Sequence, residues 1–192
     1  MHLHTPASLV RELAASAKRH IEAKLRDLDC APAQAAVVFD IDDTAIETCG
    51  EKTLALPLGL ALYHVAEELG LRIFFVTARN DDESGGHASF TLDQLRRAGF
   101  HHVTDLCLCP ESVPITLHDI AAFKARVRSE LMRDWDVQHL LLCVGDQWSD
   151  HFALRQDQLL HMYFQHDSRK CYKTVSGSVL HIKMPHRERI ES

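Results

Sequence analysis

Short apolar runs recur along the chain and predict its strands. Each run is four to seven residues long and is bounded by glycine, proline or charged residues, which is typical of strands buried in a sheet. The predicted strands cover residues 35–40, 72–76, 103–109, 138–144, 159–164 and, near the end of the chain, 178–183. The run at 35–40 leads directly into a cluster of aspartates.

Between these runs, apolar residues recur every three or four positions and predict amphipathic helices. The predicted helices cover about residues 6–28, 57–69, 89–98 and 119–133. The first begins at Thr5-Pro6, a helix cap followed by a first-turn proline. Its apolar stripe favours packing within the chain, with dimerisation as the alternative.

Strands that alternate with helices indicate βαβ units. The expected fold is therefore α/β: a Rossmann-like three-layer sandwich with a mainly parallel sheet of about five strands and helices on both faces. At 192 residues we expect one domain, with the N-terminal helix at about 6–28, a core at about 35–165 and a C-terminal extension at 166–192.

Composition narrows the classes of partner. The net charge is −6 and no basic run is present, which disfavours nucleic acid and membrane surfaces. No stretch reaches the roughly 20 apolar residues needed to cross a bilayer. The N-terminal region has scattered charges and no uninterrupted apolar segment, so we expect a cytoplasmic protein without a secretory signal.

The six cysteines have irregular spacing, and we expect reduced, mostly buried thiols. Cys107 and Cys109 could suggest a metal pair, but alternation along a strand explains them without a metal. The 14 histidines form neither an HExxH motif nor a zinc-finger spacing.

The segment VVFDIDDTAIET, residues 37–48, carries the candidate chemistry. Asp40 and Asp42 are two residues apart, so in extended chain both would face one reaction centre. Taken alone, an aspartate-rich turn after a strand explains this segment equally well.

Other candidate residues follow further strands. Thr77 comes after the second strand and Asp146 after the fourth, while Lys124 lies in the helix before that fourth strand. In an open parallel sheet the ligand crevice lies beyond the carboxyl ends of the strands, so these residues should meet there. Asp150, four residues after Asp146, would share one side of a helical turn with it.

Converging carboxylates would repel one another unless a hard cation lay among them, and Mg²⁺ shared with a phosphate meets that need. Phosphoryl transfer then assigns a role to each residue. Asp40 would attack phosphorus and Asp42 would move protons, while the Thr77 hydroxyl and the Lys124 ammonium would bind the phosphate.

With these motifs in place, the chain resembles the haloacid dehalogenase-like (HAD) superfamily of phosphatases. The resemblance rests on DIDDT at 40–44, Thr77 in FFVTAR, Lys124 in FKARVRSEL, and GDQWSD at 145–150. Within the superfamily it is similar to the acid phosphatase branch that includes class B bacterial enzymes and plant vegetative acid phosphatases. It covers about residues 35–165.

The resemblance implies a Mg²⁺-dependent phosphomonoesterase that acts through an aspartyl-phosphate on Asp40, with Asp42 as acid/base. It also implies that Mg²⁺ is bound by the side chains of Asp40 and Asp146 and by the backbone carbonyl of Asp42, with Asp150 in support. Arg79, in a segment similar to the TGR of the branch, would help to hold the substrate.

The chain departs from that branch in its cap. Only residues 45–55 separate the aspartate turn from the next helix, so the site should be nearly capless and open to bulky substrates. One alternative is therefore a phosphatase for a phosphoprotein or a nucleic-acid end, although charge disfavours nucleic acid. Another is a non-catalytic storage or interaction protein on the same fold. Assembly into a homo-oligomer stays open.

Overall fold

The structure is a computed structural model, and it describes residues 5–49, 52–81, 86–114, 116–152 and 170–185. The predicted strand at 159–164 lies outside the described residues, as does most of the glycine-containing loop before the third helix.

The predicted helices, and the predicted strands that fall within the described residues, are all present in the predicted order, and three further strands (β2, β3 and β7) accompany them. The helices are α1 (Ala7–Asp27), α2 (Pro57–Glu68), α3 (Gly86–Arg97) and α4 (Leu117–Asp134). The strands are β1 (Ala35–Phe39), β2 (Ile46–Cys49), β3 (Lys52–Ala55), β4 (Arg72–Asp81), β5 (Asp105–Pro110), β6 (His139–Gly145), β7 (Tyr172–Ser176) and β8 (Val179–Lys183).

The main sheet has the strand order β5-β4-β1-β6-β8-β7. Its pairs are parallel except for β7, which runs antiparallel to β8. The α/β Rossmann-like fold is confirmed, although the sheet has six described strands where about five were expected. The sequence did not indicate β7 because Tyr172–Ser176 is mostly exposed and polar, and so lacks an apolar run.

Alternate residues of the central strands pack on opposite faces of the sheet. In β1, Val37 and Phe39 join the core on one face, while Ala36 and Val38 join the core on the other. Helices α1 and α2 cover the first face and α4 covers the second. This arrangement is the three-layer sandwich that the alternation of elements predicts.

The apolar stripe of α1 packs inside the chain. Leu13, Ala17 and Ile21 are buried in the same core as α2, to which α1 lies adjacent. These residues are spaced by four, so they lie on one face of the helix. The packing interpretation of this stripe is thus supported over the dimerisation alternative.

The described residues between the aspartate turn and α2 form two strands, where the sequence indicated only a short connection. They include the antiparallel hairpin β2–β3, in which Ile46 pairs with Ala55 and Thr48 with Thr53. An isolated bridge also joins Asp42 to Ile46. The hairpin is therefore attached directly to the aspartate turn that follows β1.

Helix α2 packs unusually close to the same turn. The Leu56 N–H donates to the Ala45 carbonyl at 2.9 Å, and the backbone of Gly59 lies against that of Thr44. A Cβ atom on Gly59 would lie 2.3 Å from the Thr44 oxygen. Only glycine permits this approach, which fixes the turn against the helix.

Two buried histidines lie where β8 meets the turn after β6. The ring centroids of His151 and His181 are 5.5 Å apart, and Phe152 packs on His181 at 4.7 Å. Burial lowers the pKa of His181 to about 4 and that of His151 to about 3. Both rings are therefore neutral in the folded protein at neutral pH.

No helix in the described part of the chain is long and apolar enough to cross a membrane. Five cysteines in this part, Cys30, Cys107, Cys109, Cys143 and Cys171, are free thiols. The expectation of reduced thiols agrees with this finding.

We expect Gly59→Ala to lower the free energy of unfolding by about 2 kcal/mol or more, because the new methyl group meets the Thr44 carbonyl. Helix propensity alone predicts that the free energy of unfolding rises by roughly 1 kcal/mol, so the sign of the change shows which effect dominates. Urea denaturation measures this change. The exposed His64→Ala on the same helix serves as control, and a Gly59→Ala protein as stable as wild type would contradict the close contact.

Acid should destabilise the fold through the buried histidines. In the unfolded chain their pKa is about 6.5, so between about pH 6.5 and 4 the unfolded state binds more protons. The stabilisation is complete above that window and is lost as the pH falls through it. We expect His181→Phe to reduce the loss of unfolding free energy between pH 7 and 5 by about 1–2 kcal/mol.

Urea titrations at the two pH values measure this difference. His118→Phe makes the same substitution at an exposed position and should keep the wild-type pH dependence. An identical pH dependence in wild type and His181→Phe would show that His181 is not held neutral by burial.

Candidate active site

The register of the central strands brings the predicted site residues to one edge of the sheet. Asp40 follows Phe39 at the end of β1. In β4, Phe75 pairs with Phe39, and Thr77 follows Phe75 by two residues. In β6, Val144 pairs with Phe39, and Asp146 follows Val144 by two residues. Asp40 and Asp146 therefore lie at the carboxyl ends of β1 and β6, where open α/β sheets bind ligands. Thr77 lies level with them but inside β4, which continues to Asp81 and so is longer than the sequence predicted.

Lys124 joins two carboxylates at this edge. Its Nζ atom donates to Oδ1 of Asp40 at 2.7 Å and to Oδ1 of Asp150 at 2.5 Å. The three side chains are at most 7% exposed. The alternation of β1 directs Asp40 to the face that α4 covers, and Lys124 reaches it from α4. Two charged hydrogen bonds in a buried setting make this a rigid centre.

The GDQWSD segment forms a tight turn that presents Asp150. The Gln147 N–H donates to Oδ2 of Asp150 at 2.8 Å, and Arg128 donates to the Asp150 carbonyl at 2.8 Å. A Cβ on Gly145 would lie 2.3 Å from the Asp150 carboxylate. Glycine at 145 is thus what lets the Asp150 carboxylate fold back beside β6. The predicted helical turn is a short 3-10 turn, Trp148–Asp150.

Three buried carboxylates form a group that fits a divalent cation. One oxygen from each of Asp40, Asp146 and Asp150 lies within 4.8 Å of the others. Gln147 Nε2 also donates to Oδ2 of Asp146 at 3.0 Å. Lys124 contacts two of these acids, Asp40 and Asp150. Carboxylate oxygens are the ligands that hard divalent cations prefer.

The charges in this cluster shift one another's pKa. Burial raises the pKa of Asp40 well above its ordinary value; Lys124 opposes this effect, and Asp150 and Asp146 add to it. Burial alone would lower the pKa of Lys124, but the charges of Asp150 and Asp40 outweigh it and raise that pKa. Lys124 is therefore an ammonium, while the burial of Asp40 favours its neutral form.

Asp42 has a different partner. Arg79 donates from Nε to Oδ2 of Asp42 at 2.8 Å and from Nη2 to Oδ1 at 2.7 Å. The carboxylate group that could bind a cation does not include the Asp42 side chain among the described residues. Strand β1 ends at Phe39, so the extended geometry that would align Asp40 with Asp42 does not continue through them.

Thr77 and Arg79 lie in an irregular part of β4. Val76 pairs with Cys107 and Asn80 with Cys109, so β4 has two extra residues across from β5. Such bulges change the direction of side chains and are common beside active sites. The buried Thr77 hydroxyl accepts from the Arg79 N–H at 3.2 Å, which leaves its own hydrogen for donation to a ligand.

Arg128 is a site residue that the sequence analysis missed. It follows Lys124 by one helical turn, and both side chains bond to Asp150, one at the carbonyl and one at the carboxylate. The i, i+4 spacing of two basic residues on α4 was a usable signal, since such residues lie on the same face of a helix.

Comparison with known proteins identifies the family of the chain. A search of curated proteins found no match. A family model described as HAD superfamily, subfamily IIIB (acid phosphatase), matches residues 49–163, more than half of the chain. The match begins after Asp40 and Asp42 and includes Thr77, Lys124 and Asp146. The chain therefore belongs to subfamily IIIB of the HAD superfamily, and it is a phosphatase.

Proposed function

We propose that this phosphatase is a Mg²⁺-dependent phosphomonoesterase that acts through an aspartyl-phosphate on Asp40. The observation that carries the proposal is the buried group of Asp40, Asp146 and Asp150 around Lys124. HAD phosphatases generally use a divalent metal, and this group offers three carboxylate oxygens within 4.8 Å of one another to hold one.

Asp40 and Asp146 would bind Mg²⁺ through their side chains and Asp42 through its backbone carbonyl, with Asp150 in support. The cation would supply the positive charge that keeps the Asp40 carboxylate ionised and that offsets the charge of the phosphate. We propose Mg²⁺ for this site in preference to other hard divalent cations.

In the first step, an Asp40 carboxylate oxygen attacks phosphorus and the bond from phosphorus to the leaving oxygen breaks. Asp42 gives its proton to that leaving oxygen. In the second step, Asp42 takes a proton from water, whose oxygen attacks phosphorus and releases Asp40 and inorganic phosphate. The Thr77 hydroxyl and the Lys124 ammonium would hold the phosphate oxygens throughout.

Lys124 has a second function in this scheme. Because it already bonds to Asp40 and Asp150, it orients the nucleophile before substrate arrives. Rigid placement of a nucleophile reduces the entropy that must be lost at the transition state.

A macromolecular phosphosubstrate is the second candidate. The described chain between β1 and α2 offers only the hairpin β2–β3 as cover, and the Asp42 side chain is 45% exposed. An open approach to the acid/base residue suits a phosphate on a protein surface. The non-catalytic alternative is disfavoured by membership of a phosphatase family. The cytoplasmic location and the oligomeric state stay predictions.

We expect purified protein to hydrolyse p-nitrophenyl phosphate with Mg²⁺ and to lose this activity in excess chelator. Asp40→Asn should lower kcat by about a thousandfold or more, because the amide cannot act as the nucleophile. Asp93→Asn makes the same change on the exposed face of α3 and should retain wild-type activity.

Two results would contradict the proposal: full activity in chelator, or substantial turnover by Asp40→Asn. Comparison with a phosphoserine peptide separates the two candidates. A kcat/KM that is at least about tenfold higher for the peptide would favour the macromolecular substrate.

A further inference from the structure

The guanidinium of Arg79 is held on two sides. Its Nε and Nη2 atoms grip the carboxylate of Asp42 with the paired geometry that arginine forms with carboxylates. Its Nη1 atom donates to the Thr91 hydroxyl at 3.2 Å and to Oε1 of Gln94 at 2.6 Å. Both of these partners lie on α3. Four hydrogen bonds thus connect Asp42 to that helix through one side chain.

We propose that Arg79, Thr91 and Gln94 form a relay that positions the Asp42 carboxylate. The main role of Arg79 is then to hold Asp42 and not to bind the phosphate. The proposal rests on the function proposed above, in which Asp42 is the acid/base. Thr91 and Gln94 are positioning residues, since they act on Asp42 only through Arg79.

Hydrogen-bond capacity supports this assignment. A guanidinium has five N–H donors, and four of the hydrogen bonds of Arg79 go to Asp42, Thr91 and Gln94. Only one N–H, on Nη2, is not used by these four hydrogen bonds, so an Arg79 that keeps its hold on Asp42 has a single donor to offer a phosphate.

The burial of the Arg79 and Thr91 side chains also supports the relay. The Asp42 side chain is 45% exposed, whereas that of Arg79 is 20% exposed and Thr91 is buried. An exposed carboxylate samples several rotamers, and a proton donor is useful only when it points at the leaving oxygen. The more buried arginine supplies the rigid support that Asp42 lacks.

The relay also extends to the hairpin. Nε2 of Gln94 donates to the Thr53 hydroxyl of β3 at 3.3 Å, and β2 is bridged to Asp42 at Ile46. The hairpin, α3 and Asp42 are therefore connected through a closed set of contacts.

The chemistry of proton donation gives a specific signature. When Asp42 holds the proton on one oxygen, the other oxygen still accepts from Arg79, so the relay can act during the first step. Phenolate is a basic leaving group and needs that proton. p-Nitrophenolate is stabilised by its nitro group and departs without it. A misplaced Asp42 should therefore impair phenyl phosphate much more than p-nitrophenyl phosphate.

The test measures kcat/KM for these two esters, which have nearly the same size, and the Ki of inorganic phosphate as competitive inhibitor. We expect Arg79→Lys, and the double variant Thr91→Val with Gln94→Leu, to lower kcat/KM for phenyl phosphate by about tenfold or more. For p-nitrophenyl phosphate the loss should stay below about threefold, and Ki should stay within about twofold.

Controls accompany these variants. Thr91→Ser keeps the hydroxyl and should preserve the wild-type ratio between the two esters, and Asp93→Asn on the same helix should as well. The double variant leaves Arg79 in place, so it tests the relay even if Arg79→Lys does not fold.

An equal loss for both esters, together with a higher Ki, would make Arg79 a phosphate ligand and overturn the relay alone. Unchanged kinetics in the double variant would also overturn it. If wild type hydrolysed neither ester, the proposed function would fail and the relay would fail with it.

Discussion

The structure depends on keeping three carboxylates and one ammonium together out of water. One oxygen from each of Asp40, Asp146 and Asp150 lies within 4.8 Å of the other two, and Lys124 is bonded to two of these residues. Removing charges from water costs several kcal/mol per ion unless partners compensate them closely. The proposed divalent cation would add to the compensation that Lys124 gives these acids.

Residues of the surrounding elements hold these charged groups in place. Gly145 leaves space for the Asp150 carboxylate, and Arg128 holds the carbonyl of the same residue from α4. On the other side of β1, Gly59 brings α2 against the turn that carries Asp42. The ion pair between Arg79 and Asp42 is partly exposed and does not belong to the buried group. The site thus combines a rigid buried charge centre with a more accessible carboxylate beside it.

Much of this could be predicted from sequence because it depends on local patterns. The apolar runs of β1, β4 and β6 place polar residues at strand ends, and the rules of parallel sheets bring those ends together. Other features depend on contacts that leave no such pattern. The bulge that turns Thr77 and Arg79 arises from pairing with β5, while the edge strand β7 is polar and exposed. The pairing of Arg79 with Asp42 joins residues 37 positions apart, and no spacing rule signals it.

The most direct test of the central claim is a calorimetric titration of Mg²⁺ into the protein without substrate. If the carboxylate group exists to hold a cation, one Mg²⁺ should bind per chain, and Asp146→Ala should weaken binding by about tenfold or more. The absence of binding to wild type, or the same affinity in wild type and Asp146→Ala, would contradict the account.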